Sequence, residues 1–534
     1  MKALIRFAVW ISLFTAGMPL AQAQYFGRNK PIYENFNFQV YQSSNFEIYS
    51  YLNNPERRTE LAGASEMWYR FHQNILNDTI PNRNPLIFYN DHPDFQQTNS
   101  ISGQVGAGTG GVTEAFKNRV IMPINVSNQA TIQVLGHELV HAFQFNAILG
   151  GDSSSLQNLG NLPLWIVEGM AEYMSIGSVD AHTAMWMRDA VVNKDVPTLD
   201  QMNNPKYFPY RYGHAFWVFL TGLKGDDIIE PFFRAIYLYG VDVAIPMVLN
   251  MKKEDLSKLW QEALLKQFQP FVDGKEKTIP GKAVLDEQDG GNMNISPSLS
   301  PNGRYILFLS EKNLFSTDIF LAEASSGKII KTVASTSRSG DIDFFDFIES
   351  SGTWSPDSRR VAFVGFSKGR NILIIKDPLT GKTLEEGPIK DLPAFANPSW
   401  APKGEKILLS GLVDGQTDLF LYDLRSKQLT RLTNDRYSEI HASWGEDGQQ
   451  IVFSTDQLAF DKGRTYGKLT YNLAIMDMTT RAVDHIDIFP GADNLNPLFD
   501  TEGHIFFLSN RDGYRNLYRY EPQGGQVFQL IDLA

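Results

Sequence analysis

The sequence predicts a multidomain protein in which an α+β domain is followed by an all-β propeller. Two observations lead to this fold class. Up to about Phe271, short apolar runs such as residues 46–49 alternate with long segments of helical period such as residues 57–76. Beyond Ile295 the pattern changes to short strands separated by turns, and the turns recur at intervals of roughly 50 residues.

The start of the chain predicts export. Lys2 and Arg6 precede an apolar run that ends at Leu20, and small residues follow, which is typical of a signal peptide cleaved after residue 23. The run is shorter than the roughly 20 apolar residues that cross a bilayer, so we expect no stable membrane span. The expected location is the periplasm or the cell surface, including secretion from the cell.

Composition limits the classes of partner and site. The chain has 534 residues, of which 43% are hydrophobic, so it is globular and long enough for two or three domains. It has no cysteine, which excludes disulfides and thiolate metal ligands. The formal net charge of -12 repels phosphate backbones, so nucleic acid is not an expected partner.

The predicted domain boundaries follow the changes in pattern. Residues 24–273 form the α+β domain, residues 274–294 a polar linker, and residues 295–534 the propeller. Because the linker is polar, we expect few contacts between the domains. A fragment from Gln24 to about Lys277 is therefore predicted to fold alone.

Two markers repeat in the second half. An apolar or aromatic residue opens a turn at Leu299, Trp354, Trp400, Trp444 and Phe499. An aspartate or asparagine followed by apolar residues recurs downstream at Asp318, Asn371, Asp418, Asn472 and Asn516. Strands punctuated in this way predict one four-stranded blade per repeat. The turns resemble those of the TolB-type propeller family, whose rings usually have six blades. Five repeats leave open a five-bladed ring, a degenerate sixth blade or a longer protein.

The segment that carries chemistry is Gly136-His137-Glu138-Leu139-Val140-His141. It lies in a run of helical period, and residues four apart share one face of a helix, so His137 and His141 can bind one metal ion. Glu138 lies beside them without being a ligand. This is the H-E-x-x-H arrangement of zinc peptidases, and it predicts Zn²⁺ as the cofactor.

A second segment places two glutamates on one helix face. Glu168 and Glu172 follow Pro163, a residue that suits the first position of a helix. The two segments together resemble the gluzincins, which are the thermolysin-like and aminopeptidase-like zinc peptidases of the MA superfamily. The resemblance implies that Glu168 is the third zinc ligand. It also implies that Glu172 accepts the N–H of a ligating histidine and fixes its tautomer.

This resemblance implies a zinc-dependent peptidase acting on a peptide or protein substrate. Zinc would activate a water molecule, with Glu138 as general base. The oxyanion-stabilising residue in gluzincins is a tyrosine or histidine downstream of the ligand glutamate. Among Tyr207, Tyr210, Tyr212 and His214, we selected Tyr212 and His214 as the catalytic candidates.

Upstream of the histidines, residues 106–111 are rich in glycine and lack the Gly-x-Met-Glu-Asn segment of the aminopeptidase branch. This difference favours an endopeptidase. The stretch also lacks the Lys-Ser/Thr end of a phosphate-binding loop, so it is interpreted as a flexible lip over a cleft.

Two alternatives remain open at the level of sequence. One is an exported binding or scaffold protein without catalysis, whose protease-like domain accompanies a propeller that docks a protein partner. The other is a zinc hydrolase of a non-peptide amide. The propeller itself carries no comparable constellation of metal ligands or nucleophiles, so we expect it to bind substrates or partners.

Overall fold

The computed structural model describes residues 32–532, except for residues 102, 104, 107, 151–152, 276–280, 292, 314–315, 337–343, 346–351 and 464–468. The predicted signal peptide lies outside the described residues. The described part of the chain forms an N-terminal α/β region followed by a C-terminal propeller of five blades. None of its helices is both long and apolar enough to pass through a membrane.

The N-terminal region contains one five-stranded sheet, with strand order β1-β2-β3-β5-β4. Its strands are β1 (Gln39–Gln42), β2 (Phe46–Ser50), β3 (Asn84–Tyr89), β4 (Val112–Glu114) and β5 (Arg119–Pro123). The pairs β2–β3 and β3–β5 are parallel, whereas β4 is an antiparallel edge strand on β5. The three predicted strands, at residues 46–49, 86–89 and 119–123, are confirmed. Pro123 ends an interior strand, where its missing N–H leaves the ladder intact.

Helices cover the sheet and make up the rest of the N-terminal region. They are α1 (Pro55–Leu76), α2 (His92–Phe95), α3 (Asn128–Leu149), α4 (Leu164–Ile176), α5 (Ala181–Val192), α6 (Pro209–Lys224), α7 (Ile229–Tyr239), α8 (Val241–Ala244) and α9 (Lys253–Phe268). Segments of 3₁₀ or π-helix join them at Ser153–Asn161, Leu199–Asn203, Asp226–Ile228, Ile245–Leu249 and Gln269–Phe271.

The boundaries of α3 and α4 follow from local sequence. The Ser127 side chain accepts the N–H of Ala130 and begins α3, while Gly150 ends it in the left-handed conformation, with φ of 50°. Pro163 precedes α4 as its cap residue instead of being its first helical residue. On the buried side of α3, Trp68 Nε1 donates to the carbonyl of Ile132 at 3.0 Å. These contacts fix α3 against α1 and the sheet.

Each propeller blade is built from strands consecutive in sequence. Blade 1 contains β6 (Asn294–Leu299), β7 (Tyr305–Ser310), β8 (Asp318–Glu323) and β9 (Ile329–Ser335), after the short α10 (Glu287–Gly290). Blade 2 contains β10 (Phe344–Phe345), β11 (Thr353–Trp354), β12 (Val361–Ser367), β13 (Arg370–Lys376) and β14 (Thr383–Gly387). Blade 3 contains β15 (Ala394–Trp400), β16 (Lys406–Val413), β17 (Gln416–Asp423) and β18 (Leu429–Arg431).

The last two blades have the same order. Blade 4 contains β19 (Glu439–Trp444), β20 (Gln450–Thr455), β21 (Asn472–Asp477) and β22 (Val483–Ile486), with α11 (Gln457–Asp461) between its second and third strands. Blade 5 contains β23 (Asn494–Phe499), β24 (Ile505–Ser509), β25 (Asn516–Glu521) and β26 (Gln526–Gln529). The described residues form no sixth blade.

The repeated turns join neighbouring blades. Trp354 Nε1 in blade 2 donates to the carbonyl of Ser298 in blade 1 at 3.0 Å, and Trp444 Nε1 in blade 4 donates to Ser399 in blade 3 at 3.1 Å. Within the turn, the Ser355 hydroxyl accepts the N–H of Arg360 at 2.9 Å. The repeated residues therefore close the turns and, at Trp354 and Trp444, attach a blade to the previous one.

The expectation of few contacts between the domains is wrong. Leu412 and Leu469 of the propeller belong to the same buried apolar cluster as the core of the N-terminal region. Polar contacts accompany them, including Asn53 N–H to Asp414 Oδ1 at 2.7 Å and Arg436 to Glu60 at 2.7 Å. The polarity of a linker describes only the connecting segment, whereas the interface is formed by strands, a helix and loops distant from it in sequence.

Candidate metal centre

Helices α3 and α4 bring together the three residues predicted to bind a metal. His137 Nε2 lies 3.1 Å from His141 Nε2 and 3.2 Å from Glu168 Oε2. His141 Nε2 lies 3.3 Å from the same glutamate oxygen. All three side chains are at most 13% exposed. Three potential ligand atoms thus converge on one small volume between the two helices.

The outer nitrogen of each histidine has its own acceptor. His137 Nδ1 lies 3.1 Å from the Glu172 carboxylate. His141 Nδ1 lies 2.8 Å from Gln144 Oε1, and the Gln144 amide donates at 3.1 Å to the carbonyl of Val167. Because the Gln144 amide is used as a donor there, its oxygen must accept the His141 proton. With a cation between them, both rings would carry their proton on Nδ1 and turn the Nε2 lone pair toward it.

The arrangement fits a zinc ion. With Zn–N and Zn–O distances of about 2.0 to 2.2 Å in a tetrahedron, ligand atoms are separated by about 3.3 Å. The observed separations of 3.1, 3.2 and 3.3 Å match that spacing. Two lone pairs and a carboxylate oxygen facing one another require a positive charge between them. Imidazole and carboxylate are also ligands that Zn²⁺ commonly accepts.

The pKa values of His137 and Glu168 are both shifted in the direction that favours the charged form. Burial lowers the pKa of His137, but its hydrogen bonds with Glu168 and Glu172 outweigh burial and raise the pKa to about 10. Burial raises the pKa of Glu168, but its contacts with His137 and His141 outweigh burial and hold the pKa well below its usual range. Without a metal, a proton on a histidine supplies the positive charge that this cluster requires.

A second ion pair continues outward from Glu172. Arg211 Nη1 lies 2.9 Å from Glu172 Oε2 and 3.1 Å from Asp180 Oδ2. Arg211 therefore holds the carboxylate that orients His137, and Asp180 holds Arg211. Sequence analysis missed Arg211 because its role depends on α6 crossing α4, which no local pattern reveals.

Glu138 lies beside the three atoms and is held by the edge strand. Its Oε2 accepts the Thr113 hydroxyl of β4 at 2.7 Å, and the residue is 6% exposed. Gly111 lies so close that a Cβ there would be 2.8 Å from Glu138 Cγ. The glycine-rich stretch, in its described part, therefore makes room for Glu138. Its interpretation as a flexible lip stays a prediction.

The structure does not bring Tyr212 or His214 to the cluster. Tyr212 packs against Tyr207 and Trp186 in the interior. His214 is 1% exposed, and its two nitrogens contact Thr183 Oγ1 at 2.8 Å and the carbonyl of Gly177 at 2.7 Å. Both residues have the environment of packed core side chains.

The tyrosine at the cluster is instead Tyr210. Its ring stacks on His137, with centroids 5.9 Å apart and an angle of 12° between the planes. Burial, the charge of Glu168 and a hydrogen bond to Glu168 raise the pKa of Tyr210. Tyr210 and Tyr212 are two residues apart and therefore lie on different faces of α6. The sequence alone did not show which of these faces contacts His137.

Comparisons with known proteins identify the second half. The profile of the TolB beta propeller domain matches residues 347–460. The propeller is of the TolB type. A curated relative, the Tol-Pal system protein TolB of Ruthia magnifica subsp. Calyptogena magnifica, is 40% identical over 85 residues, which are 16% of this chain and 20% of the relative. The corresponding protein of Francisella tularensis subsp. mediasiatica (strain FSC147) is 32% identical over 124 residues, 23% of this chain and 26% of that one.

The matches span a fifth to a quarter of the length of these relatives. Among solved structures, the putative TolB from Agrobacterium tumefaciens aligns with 45% of this chain and 80% of its own length, at 17% identity and a TM-score of 0.36. The family match to residues 347–460 confirms the TolB-type propeller predicted from the repeated turns.

The prediction that the chain is an enzyme, a zinc metallopeptidase, is contradicted by these comparisons. The relatives found carry the name of the Tol-Pal system protein TolB and not that of a hydrolase. The H-E-x-x-H segment specifies two histidines on one helix face and a glutamate beside them. Such an arrangement can hold a metal ion whether or not any reaction takes place there.

Proposed function

We propose that the chain is an exported docking protein that holds one zinc ion in its N-terminal domain and binds protein partners on its propeller. The observation that carries the zinc site is the convergence of His137 Nε2, His141 Nε2 and Glu168 Oε2 within 3.3 Å of one another. Glu172 and Gln144 support it by directing both ring lone pairs inward. The N-terminal domain is then a zincin-like domain of the gluzincin type.

Zinc in this position joins α3 to α4, because two ligands come from one helix and one from the other. Three protein ligands leave a fourth position for water or for an oxygen of a bound partner. Glu138, whose carboxylate accepts the Thr113 hydroxyl and whose charge acts on His137, would be available to accept a hydrogen bond from such a group.

The proposal of a protein partner rests on the propeller. Curated relatives of part of this chain are named for the Tol-Pal system, in which TolB is one component by name. Propellers present a rim and a central channel to other molecules. We therefore place partner binding on the propeller and propose that it takes place in the periplasm or at the cell surface.

The experiment measures metal content and peptide hydrolysis in the same preparations. We expect about one zinc per chain in the wild type and loss of zinc from His137→Ala and Glu168→Ala, since each variant removes one of three ligands. Gln133→Ala, one turn before His137 on the same helix, is the control and should retain zinc. Zinc retained in Glu168→Ala would remove that residue from the ligand set. Chelator-sensitive hydrolysis of unfolded protein by the wild type would contradict a purely docking role.

A further inference from the structure

The first turn of α3, the helix that carries both histidines, is attached to the propeller. The Tyr471 hydroxyl donates to Ser127 Oγ at 2.8 Å, and the backbone N–H of Asn128 donates to Ser438 Oγ at 2.8 Å. The first N–H groups of a helix have no acceptor within the helix itself. The propeller supplies one of the missing acceptors and also holds the serine that caps the helix.

Two propeller carboxylates lie at the same end of α3. Asp456 Oδ2 accepts the side-chain amide of Asn128 at 3.1 Å, and Asp493 Oδ1 accepts that of Gln129 at 3.3 Å. The other oxygen of Asp456 accepts the N–H of Ser438 at 2.9 Å, so Asp456 connects the helix to the strand end that bears Ser438. Negative charge is favoured at a helix N-terminus because the backbone dipoles leave partial positive charge there.

The contact between the first turn of α3 and the propeller is buried. Asp456 and Ser438 are 0% exposed, and Tyr471 is 1% exposed. Burial raises the pKa of Asp456 to about 7, as expected for a carboxylate removed from water. A buried hydrogen-bonded contact of this kind holds one geometry, because an alternative would leave polar groups unsatisfied.

The anchored turn and the two histidine ligands lie on one continuous helix. His137 is nine residues beyond Asn128, about 14 Å along the axis. Over that distance a tilt of a few degrees displaces an imidazole by nearly 1 Å, whereas a metal site requires its ligands within about 0.5 Å of the correct place. Gln129, Gln133 and His137 also follow one another at four-residue spacing, so the anchored face of α3 continues into the face that bears the ligands.

We propose that Tyr471, Ser438 and Asp456 of the propeller are positioning residues for the metal site, so that metal affinity and the attachment of the propeller to α3 are coupled. The inference rests on the proposed zinc site. The N-terminal region also holds α3 by itself, through Trp68 at Ile132 and His72 at Gly136. The coupling is therefore partial, and each propeller variant should weaken zinc binding about 5- to 10-fold.

Linkage makes the coupling reciprocal. If the propeller contact strengthens zinc binding by a given factor, zinc must strengthen the propeller contact by the same factor. The backbone N–H of Asn128 reports that contact directly, because its acceptor is the propeller residue Ser438. Zinc should slow hydrogen exchange at this amide.

The test uses the full chain and Zn²⁺ as the probe, with affinity measured by competition against a chromophoric chelator. Tyr471→Phe keeps the buried ring and removes only the hydroxyl at Ser127. Asp456→Ala removes one of the two acceptors of the Asn128 side-chain amide, the other being the carbonyl of Arg436. Asp318→Ala is the matched control, since Asp318 is also 0% exposed but lies in blade 1 and pairs with Asn313 of its own blade. The absorption spectrum of Co²⁺-loaded protein shows in parallel whether ligand geometry changes.

We expect Tyr471→Phe and Asp456→Ala each to bind zinc about 5- to 10-fold more weakly than the wild type and to alter the Co²⁺ spectrum. Asp318→Ala should match the wild type in both measurements. Zinc should slow exchange at Asn128 in the wild type and less in Asp456→Ala. Unchanged affinity in both variants would overturn the coupling while leaving the zinc site in place. An equal loss of zinc affinity in Asp318→Ala would also overturn the coupling, because the weaker binding would then result from a general change in propeller folding. A wild type that binds no zinc would instead remove the proposed function itself.

Discussion

At the scale of single residues, the partners of the ligand side chains decide how well the centre can bind metal. Glu172 is the clearest case, because it contacts His137 Nδ1 at 3.1 Å and is itself paired with Arg211 at 2.9 Å. A carboxylate in this position fixes the ring tautomer and raises the basicity of the ligating nitrogen. At the proposed zinc site, Glu172 would therefore contribute to metal affinity without being a ligand.

Glu172→Gln is expected to weaken zinc affinity roughly 10- to 100-fold without abolishing binding. The amide can still accept the His137 proton, but it lacks the charge and cannot satisfy Arg211 equally well. Glu262→Gln on the exposed face of α9 is the control. Zinc titration of the three proteins measures the effect, and an affinity equal to that of the wild type would show that Glu172 is only a partner of Arg211.

At the scale of elements, the position of Glu168 depends on how closely α4 and α6 approach. Gly169 and Gly213 lie at the crossing, where a Cβ on Gly213 would be 2.0 Å from the carbonyl oxygen of Trp165. No side chain fits at that distance, and the obstacle is backbone that cannot rotate away. The two glycines set the helix separation and bring Arg211 of α6 to Glu172 of α4.

Gly213→Ala is therefore expected to destabilise the protein by about 1 to 3 kcal/mol or more and to reduce zinc binding. Gly222→Ala is a matched control on the same helix, because a Cβ there meets nothing within 4 Å. Alanine at that position should leave stability unchanged or raise it by up to about 1 kcal/mol. Chemical denaturation of both variants measures the difference, and equal stability of the two would contradict the close crossing.

Part of this site could be predicted from the sequence. His137, Glu138 and His141 follow from helical spacing alone, and Glu168 with Glu172 follows from the resemblance of a second helix. Gln144 could also have been found, because it lies three residues beyond His141 on the same helix, where side chains can meet. The choice of Tyr212 over Tyr210 failed because the rotation of α6 about its axis is set by packing with α4 and not by its own sequence.

At the scale of the whole molecule, the two halves share a core. Ala394, Leu412, Ala459 and Leu469 of the propeller lie in one apolar cluster with the helices of the N-terminal region. Arg188 of α5 lies over the ring of Tyr514 in blade 5, 3.6 Å from its centroid. The propeller repeats were recognisable in sequence because each blade reuses the same turn. The interface instead combines strand, helix and loop residues from different repeats and carries no repeated pattern.

A shared core predicts joint unfolding. We expect thermal unfolding of the full chain to give a single calorimetric transition, since loss of either half exposes the apolar surface of the other. The fragment ending near Lys277 should be less stable than the same region in the full chain. Two well-separated transitions would show that the halves fold independently, as the sequence had suggested.

The measurement that tests the central claim most directly is a crystal structure of zinc-loaded protein with anomalous diffraction recorded at the zinc absorption edge. The account predicts one strong peak within about 2.0 to 2.2 Å of His137 Nε2, His141 Nε2 and Glu168 Oε2. Data recorded just below the edge are the control, because a zinc peak must then fall sharply. A map with no peak between these three atoms, or a zinc ion held by other residues, would contradict the metal centre described here.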